Sequence, residues 1–154
     1  MAQDWHLKDI ACGTIGYKDS SVVISPVGAN KWTKVTNSAN DLFDESGTGY
    51  HTSLYADGMI IYKNGWYALD FRQALSTTNN RVIKISVGIN DTSTVRGCIQ
   101  GTSPGTGDIM PFTSFGKFQI SDAPDTVFTY FKNIDYDTDI TVYCGALRVI
   151  RIRP

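Results

Sequence analysis

Three aspartates near the end of the chain are spaced as metal ligands often are. Asp135, Asp137 and Asp139 stand at positions i, i+2 and i+4, and Asn133 precedes them. Hard oxygen ligands at this spacing can wrap a calcium ion if the segment is a loop. The glycine and the distal glutamate of an EF-hand loop are missing, and in an extended segment the three carboxylates would repel one another. The candidate is a calcium site, with a solvated acidic turn as the alternative.

The residues that catalysis needs do not form a recognisable pattern. The two histidines, His6 and His51, lie on unrelated segments, whereas a nucleophilic triad needs a base held between a nucleophile and a carboxylate. No GxSxG, HExxH or phosphate-binding loop occurs in the sequence, and each of these patterns marks a specific chemistry. We therefore predict no catalytic residues, no cofactor and a protein that is not an enzyme.

Aromatic side chains are numerous enough to form a sugar-binding site. The chain contains Trp5, Trp32, Trp66 and eight tyrosines. Aromatic rings in β-sandwiches more often fill the core. Trp66 opens a strand after a turn, where its ring would either cap the core or line an axis between subunits. A carbohydrate-binding module or lectin is therefore one hypothesis.

Cysteine usage and charge exclude several classes of partner. Cys12, Cys98 and Cys144 are odd in number, widely spaced and without a CxxC pair, so we predict buried, reduced thiols. A formal net charge of −1 offers no broad basic field to nucleic acid or to a membrane surface. The sequence has neither a membrane-length apolar run nor the start of a signal peptide. We predict synthesis in a cytoplasm, no nucleic-acid partner and no membrane insertion.

Apolar residues recur at every second position, and this period predicts β-strands. In the segment 81–91 the apolar residues share one face: Ile83, Ile85, Val87 and Ile89. The other strands are predicted at 21–25, 32–36, 50–55, 59–62, 65–73, 95–100, 112–120, 126–132 and 140–152. Helical spacing never persists for three turns. The chain is therefore predicted to be all-β.

Two turn signals and one aromatic strand refine this prediction. Asn64-Gly65 is typical of a tight hairpin turn, and Gly145 stands where the apolar phase of the last strand changes, which predicts a bulge. The segment 126–132 is aromatic on both faces, with Phe128 and Tyr130 on the same side. One face of this strand fills the core, and the other needs a second sheet or another subunit.

Four stretches from residue 65 onward carry recognisable patterns. They are a glycine-x-tyrosine strand start at 65–67, a long strand at 81–90 that ends in asparagine, a turn and apolar strand at 118–128, and an aromatic-x-glycine-x-leucine strand at 143–147. In this order they resemble the tumour-necrosis-factor and complement globular-head family of trimeric jelly rolls, from about Trp32 to the end. Pro124 and Tyr143 depart from the family pattern, which has glycine and phenylalanine there.

The resemblance implies an architecture and an assembly. It implies a two-sheet antiparallel β-sandwich, the jelly roll, that forms a homotrimer. The jelly-roll domain is assigned to 31–154, and residues 1–30, whose apolar residues lack a sustained period, are predicted to attach the protein to another virion protein. The predicted subunit interface consists of Trp66, Phe128, Tyr130 and Tyr143. The arginines at the chain end are expected to pair with carboxylates across strands or subunits: Arg148, Arg151 and Arg153.

The resemblance also implies a function. Similar domains occur in secreted animal ligands and at the surfaces or ends of phage particles. A chain without a signal peptide, with an odd cysteine count and rich in Asn, Thr, Ser and Gly, resembles the phage version. The implied function is a non-enzymatic bacteriophage virion surface protein: a capsid decoration, a fibre cap or a receptor-binding tip. It would be made in the host cytoplasm, with a host cell-surface glycan as a further candidate partner.

Overall fold

The computed structural model describes residues 11–17, 21–36, 43–44, 50–55, 57–78, 80–90 and 96–154. Within these ranges the chain forms strands and no helix, and therefore no helix that could cross a membrane. The strands are β1 (Cys12–Tyr17), β2 (Val22–Ile24), β3 (Thr33–Lys34), β4 (Phe43–Asp44), β5 (Thr52–Tyr55), β6 (Gly58–Ile61), β7 (Gly65–Ser76), β8 (Val82–Ile89), β9 (Arg96–Thr102), β10 (Met110–Ile120), β11 (Asp125–Asn133) and β12 (Ile140–Arg153). The all-β prediction is confirmed.

The strands form two antiparallel sheets. The first sheet has the order β10-β7-β12-β1-β4, with β2 also paired to β12. The second sheet has the order β5-β6-β11-β8-β9, with β3 also paired to β11. Strands adjacent in the chain thus lie in different sheets at several points, and the chain winds between two layers. This is the predicted two-sheet antiparallel sandwich, the jelly roll.

The core lies between the inner faces of the two sheets, and the period of two selects its residues. The predicted face of β8 is confirmed: Ile83 and Ile85 are fully buried and Val87 is nearly so. Ile89, at the end of the strand, is only half-buried against the core. On β7 the residues Tyr67 and Phe71 are fully buried on the corresponding inner face. Both sheets therefore contribute one apolar phase to a common core.

The predicted hairpin at Asn64-Gly65 is wrong. β6 belongs to the second sheet and β7 to the first, so this turn carries the chain from one sheet to the other. Gly65 has φ +145, a region that side chains rarely adopt, and a Cβ there would meet Arg151 Nε at 2.5 Å. The Asn64 side chain accepts a hydrogen bond from the Ala123 amide at 2.7 Å, which ties this turn to the connection between β10 and β11. Glycine is needed at this turn, but for a crossing rather than for a hairpin.

The sheet starts well before residue 31. β1 pairs with β12 from Cys12↔Ile150 to Gly16↔Ala146, and β2 pairs with the start of β12. Ile15 and Ile24 belong to the buried core. Residues 11–17 and 22–24 are thus part of the jelly roll, and the boundary predicted at residue 30 does not coincide with the edge of the sandwich. Residues 1–10 lie outside the described residues.

The last strand contains the predicted bulge, two residues earlier than the glycine. The register of β12 against β7 shifts between Val142 and Cys144, so the extra residue is Tyr143. After the shift Cys144 faces away from the core and is exposed. Gly145 instead stands directly opposite the buried Gln73.

Candidate interaction surface on the first sheet

The face of the first sheet that points away from the core carries large exposed apolar side chains. We call this the outer face, and it consists of the outward residues of β10, β7, β12 and β1. Phe115 on β10 is 68% exposed, and Ile150 and Ile152 on β12 are 48% and 53% exposed. Contiguous apolar residues on a sheet face that faces solvent are typical of a surface that another molecule covers.

The antiparallel register aligns these residues in rows across the strands. One row runs Phe115, Asp70, Arg148 and Thr14, and the next runs Lys117, Ala68, Ile150 and Cys12. Residues that stand directly opposite each other have Cβ atoms about 5 Å apart. The two rows therefore combine an aromatic ring and an aliphatic side chain with charged residues in a small area.

A concavity of about 470 Å³ lies between these rows. Phe115, Ile150 and Cys12 contribute to its walls, with Ala68, Asp70 and Arg148. Ala68 is the smallest side chain in its row, and it leaves a gap between the bulkier residues on the two neighbouring strands. The outer face therefore has both projecting apolar side chains and a depression. Surfaces that pack closely against each other need such complementary shapes.

Charged side chains surround the concavity. Both guanidinium contacts from Arg72 to the Asp70 carboxylate measure 3.3 Å, and Arg148 stands directly opposite Asp70 on β12. Asp70 thus has one guanidinium as its partner and a second one as its cross-strand neighbour. The ion pair of Asp70 and Arg72 therefore lies within the apolar surface.

The end of the outer face is closed by Trp66. Its ring lies under two cations, Lys117 Nζ at 5.7 Å and Arg153 at 4.8 Å from the ring centroid, which are favourable distances for cation–π attraction. On the core side of the same strand, the Tyr67 hydroxyl donates to the Lys63 carbonyl at 2.7 Å. Burial raises the pKa of Tyr67 to about 12, and the nearby Arg151 guanidinium opposes that rise.

The four residues predicted to form a subunit interface are not brought together. Trp66 and Tyr143 lie on the first sheet, where both are half-buried and the Tyr143 hydroxyl lies 3.1 Å from Ser76 Oγ. Phe128 and Tyr130 lie on β11 of the second sheet and are only 7% and 3% exposed. Their rings pack edge to face, and Lys34 lies over Phe128.

The face of β11 that carries Phe128 and Tyr130 is therefore already covered within one chain. Phe128 and Tyr130 have little surface left for a second subunit, so their assignment to an interface is not supported by their burial. Phe115 was not predicted, although the sequence contains its signal. In the segment 112–120 it is the one aromatic residue that falls in the otherwise polar phase of the strand.

The predicted metal ligands lie in an exposed turn and do not converge. Asp135, Asp137 and Asp139 are all exposed, and no group of three or more His, Cys, Asp or Glu side chains among the described residues is placed to hold a metal ion. Asn133 organises the turn by donating to Thr138 Oγ1 at 2.9 Å. The geometry favours the alternative interpretation, a solvated acidic turn.

The other chemically interesting residues are dispersed. His51 is exposed, with φ 57, in the turn before β5, while His6 and Trp5 lie outside the described residues. Trp32 is half-buried with Lys132 Nζ 4.9 Å above its ring. Cys12, Cys98 and Cys144 are free thiols, but Cys98 and Cys144 are exposed, so the prediction of buried thiols is wrong for these two. Among the described residues, the outer face therefore offers the most distinctive surface for a function.

Comparison with known proteins identifies the fold. No family model and no curated protein matched the sequence. Among solved structures, murine APRIL matches with a TM-score of 0.60 and 11% identity, covering 92% of this chain and 99% of that one. The Eiger TNF of S. frugiperda matches with a TM-score of 0.58 and 10% identity over 93% and 92% of the two chains. The vertex protein P5 of phage PRD1 matches with a TM-score of 0.52 and 14% identity over 92% and 96%.

Proposed function

We infer a function from the tumour-necrosis-factor-like jelly-roll fold, which the described chain shares with animal proteins and with a phage vertex protein. The chain is a non-enzymatic, homotrimeric surface protein of a bacteriophage particle, and its outer face is the subunit interface. It would serve as a capsid decoration, a fibre cap or a receptor-binding tip, and it would be made in the host cytoplasm. The observation that carries the proposal is the exposed apolar surface of the first sheet.

The energetic argument concerns Phe115, Ile150 and Ile152. Complete burial of such a side chain contributes about 1.5–3 kcal/mol, and each of the three is roughly half to two-thirds exposed in the single chain. Covering them would contribute on the order of 1–2 kcal/mol per side chain. A net charge of −1 adds little overall repulsion between copies.

The position of Phe115 supports a contact between different surfaces of identical chains. β10 ends the strand order of the first sheet, so Phe115 projects near an edge, while Ile150 and Cys12 lie toward the opposite side. A head-to-tail contact between such surfaces produces a closed ring when the rotation between subunits permits. The number of three subunits rests on the resemblance to trimeric jelly rolls.

The virion role is supported by the likeness to the phage vertex protein and by the apolar residues within residues 1–10. Residues 1–10 precede the first described strand and include Trp5, Leu7 and Ile10. We propose that they, rather than the whole segment 1–30, attach the domain to another virion protein. A host cell-surface glycan is a further proposed partner.

A carbohydrate-binding module or lectin is the competing function. It would need a concave surface that presents free Trp or Tyr rings to a sugar. Trp32 and Trp66 are half-buried beneath cations. The concavity of the outer face contains neither Trp nor Tyr among its described lining residues, and Phe115 is its one aromatic ring. These contacts favour assembly over sugar binding as the use of the outer face.

A matched pair of variants tests the interface. Phe115→Asp places a charge in the proposed interface and should shift the protein to a monomer in sedimentation velocity at micromolar concentration. Tyr55→Asp is the control, because Tyr55 is 52% exposed on β5 of the second sheet and should leave the trimer intact. A Phe115→Asp protein that stays trimeric and folded would place the interface elsewhere.

Mass spectrometry of gradient-purified phage particles tests the virion role, which requires the chain to be present in them.

A further inference from the structure

The outer face has a strong excess of positive charge, although the whole chain is nearly neutral. Its described outward side chains include the cations Arg72, Lys117, Arg148 and Arg153, against the carboxylate of Asp70. The formal charge of this face is therefore clearly positive, whereas that of the chain is −1.

Covering this face in the proposed trimer would take these charges out of water. A charge that leaves water is destabilising unless a partner of opposite sign compensates it. Asp70 already accepts from Arg72, and Lys117 and Arg153 lie over the Trp66 ring. Arg148 stands opposite Asp70 in the register and on the wall of the concavity. It is the only one of these four cations on that wall, and the carboxylate opposite it already accepts from Arg72.

We propose that the outer face binds a small oxyanion at Arg148, with Arg72 nearby, and that this binding is coupled to trimer assembly. The proposal rests on the proposed trimer. A planar guanidinium donates two parallel hydrogen bonds to a phosphate, sulfate or carboxylate group, and the two arginines flank Asp70 from the same strand and from the neighbouring one. The concavity beside Arg148 provides space for such a group.

The coupling follows from linkage. An anion that binds the assembled face more tightly than the single chain stabilises the trimer by mass action. Chloride can screen the same charges, but it cannot accept two parallel hydrogen bonds from one guanidinium. At equal ionic strength, therefore, sulfate or phosphate should promote assembly more than chloride does.

The experiment is sedimentation velocity of the full chain across a concentration series, in chloride and in a few millimolar sulfate at matched ionic strength. The wild-type trimer should dissociate at a concentration on the order of tenfold lower in sulfate. Arg148→Met removes the charge but keeps an extended apolar side chain. The Arg148→Met trimer should be more stable than the wild type in chloride, and sulfate should stabilise it little further. Arg72→Met should also reduce the stabilisation by sulfate, but by less than Arg148→Met does.

Lys31→Met is the control, since Lys31 is exposed on a turn away from the first sheet. It should respond to sulfate as the wild type does, which separates a specific site from the general salting-out effect of sulfate. Equal assembly of the wild type in both salts, or an unchanged sulfate response in Arg148→Met, would overturn the oxyanion site while leaving the trimer in place. A monomer in every buffer would instead overturn the proposed trimer, and this proposal with it.

Discussion

Cys12 lies directly opposite Ile150 in the antiparallel register of β1 and β12. A segment near the start of the chain thus forms part of the same outer face as the closing strand. Cys12 also borders the concavity between Phe115 and Ile150. The strand that contains Cys12 sends Ile15 into the core, so β1 contributes to stability and to the proposed interface together.

The cysteines provide a chemical test of which face is covered. Cys12 and Cys144 belong to the first sheet and Cys98 to β9 of the second, and all three are free. We expect a thiol reagent to modify Cys98 rapidly in the trimer, while Cys12 and Cys144 react slowly until the trimer is diluted to monomer. Peptide mass spectrometry after timed labelling measures the three rates. Protection of Cys98 with free reaction of the other two would assign the interface to the second sheet.

Removal of the first two described strands should prevent stable folding. A chain that begins at Ala29 lacks both partners of β12 on that side, and it lacks the buried residues Ile15 and Ile24. An unpaired sheet edge and an open core favour aggregation. We expect this shortened chain to be insoluble, whereas a chain that begins at Ala11 keeps every described strand and should remain soluble. A soluble, trimeric chain from Ala29 would show that β1 and β2 are dispensable.

Truncation of a central core residue should be costly. Ile85 is fully buried on β8, and its replacement by Ala loses transfer free energy and leaves a cavity. We expect the free energy of unfolding to fall by about 2–5 kcal/mol in urea titration, against about 0.5–1.5 kcal/mol for Ile85→Val. A loss below the Ile85→Val value would mean that the core collapses around the site far better than its burial indicates.

Tyr67 should make stability depend on pH in the alkaline range. Its pKa is raised from 10.0 to about 12 by burial, so the unfolded chain loses this proton first as the pH rises. The contribution of the protonated Tyr67 to the free energy of unfolding is complete below pH 10.0 and is lost as the pH approaches 12. Urea unfolding of wild type and Tyr67→Phe on both sides of pH 10.0 isolates it, because the variant should show the smaller alkaline loss of stability. Parallel pH profiles for the two proteins would contradict the assignment.

Local periodicity was enough to predict most of the fold. Apolar residues at alternate positions, as at Ile83 and Ile85, show which side of a strand is buried. The same pattern predicted the strands that end at Ile120 and Arg153. The segment around Ile15 was not predicted, because glycines and polar residues dilute its apolar pattern. The turn at Gly65 was misread, since a glycine with positive φ suits a crossing between sheets as well as a hairpin.

The interaction surface could be predicted only in part. Aromatic content pointed to Phe128 and Tyr130, but the sequence could not show that neighbouring segments of the same chain cover them. The sequence places Phe115 in the polar phase of its strand, but only the register shows that it lies beside Asp70 on an edge strand. Buried polar residues were equally hidden: Gln73 lies on the inner face of β7, with neither amide atom hydrogen-bonded to a described residue.

The central claim is that copies of this chain assemble through the outer face into a trimer. Sedimentation equilibrium of the full chain at micromolar concentration tests it most directly, because the result does not depend on molecular shape. We expect a mass three times that of the 17.0 kDa chain, falling to a single chain in Phe115→Asp. A mass of one chain for the wild-type protein across the concentration range would contradict the account.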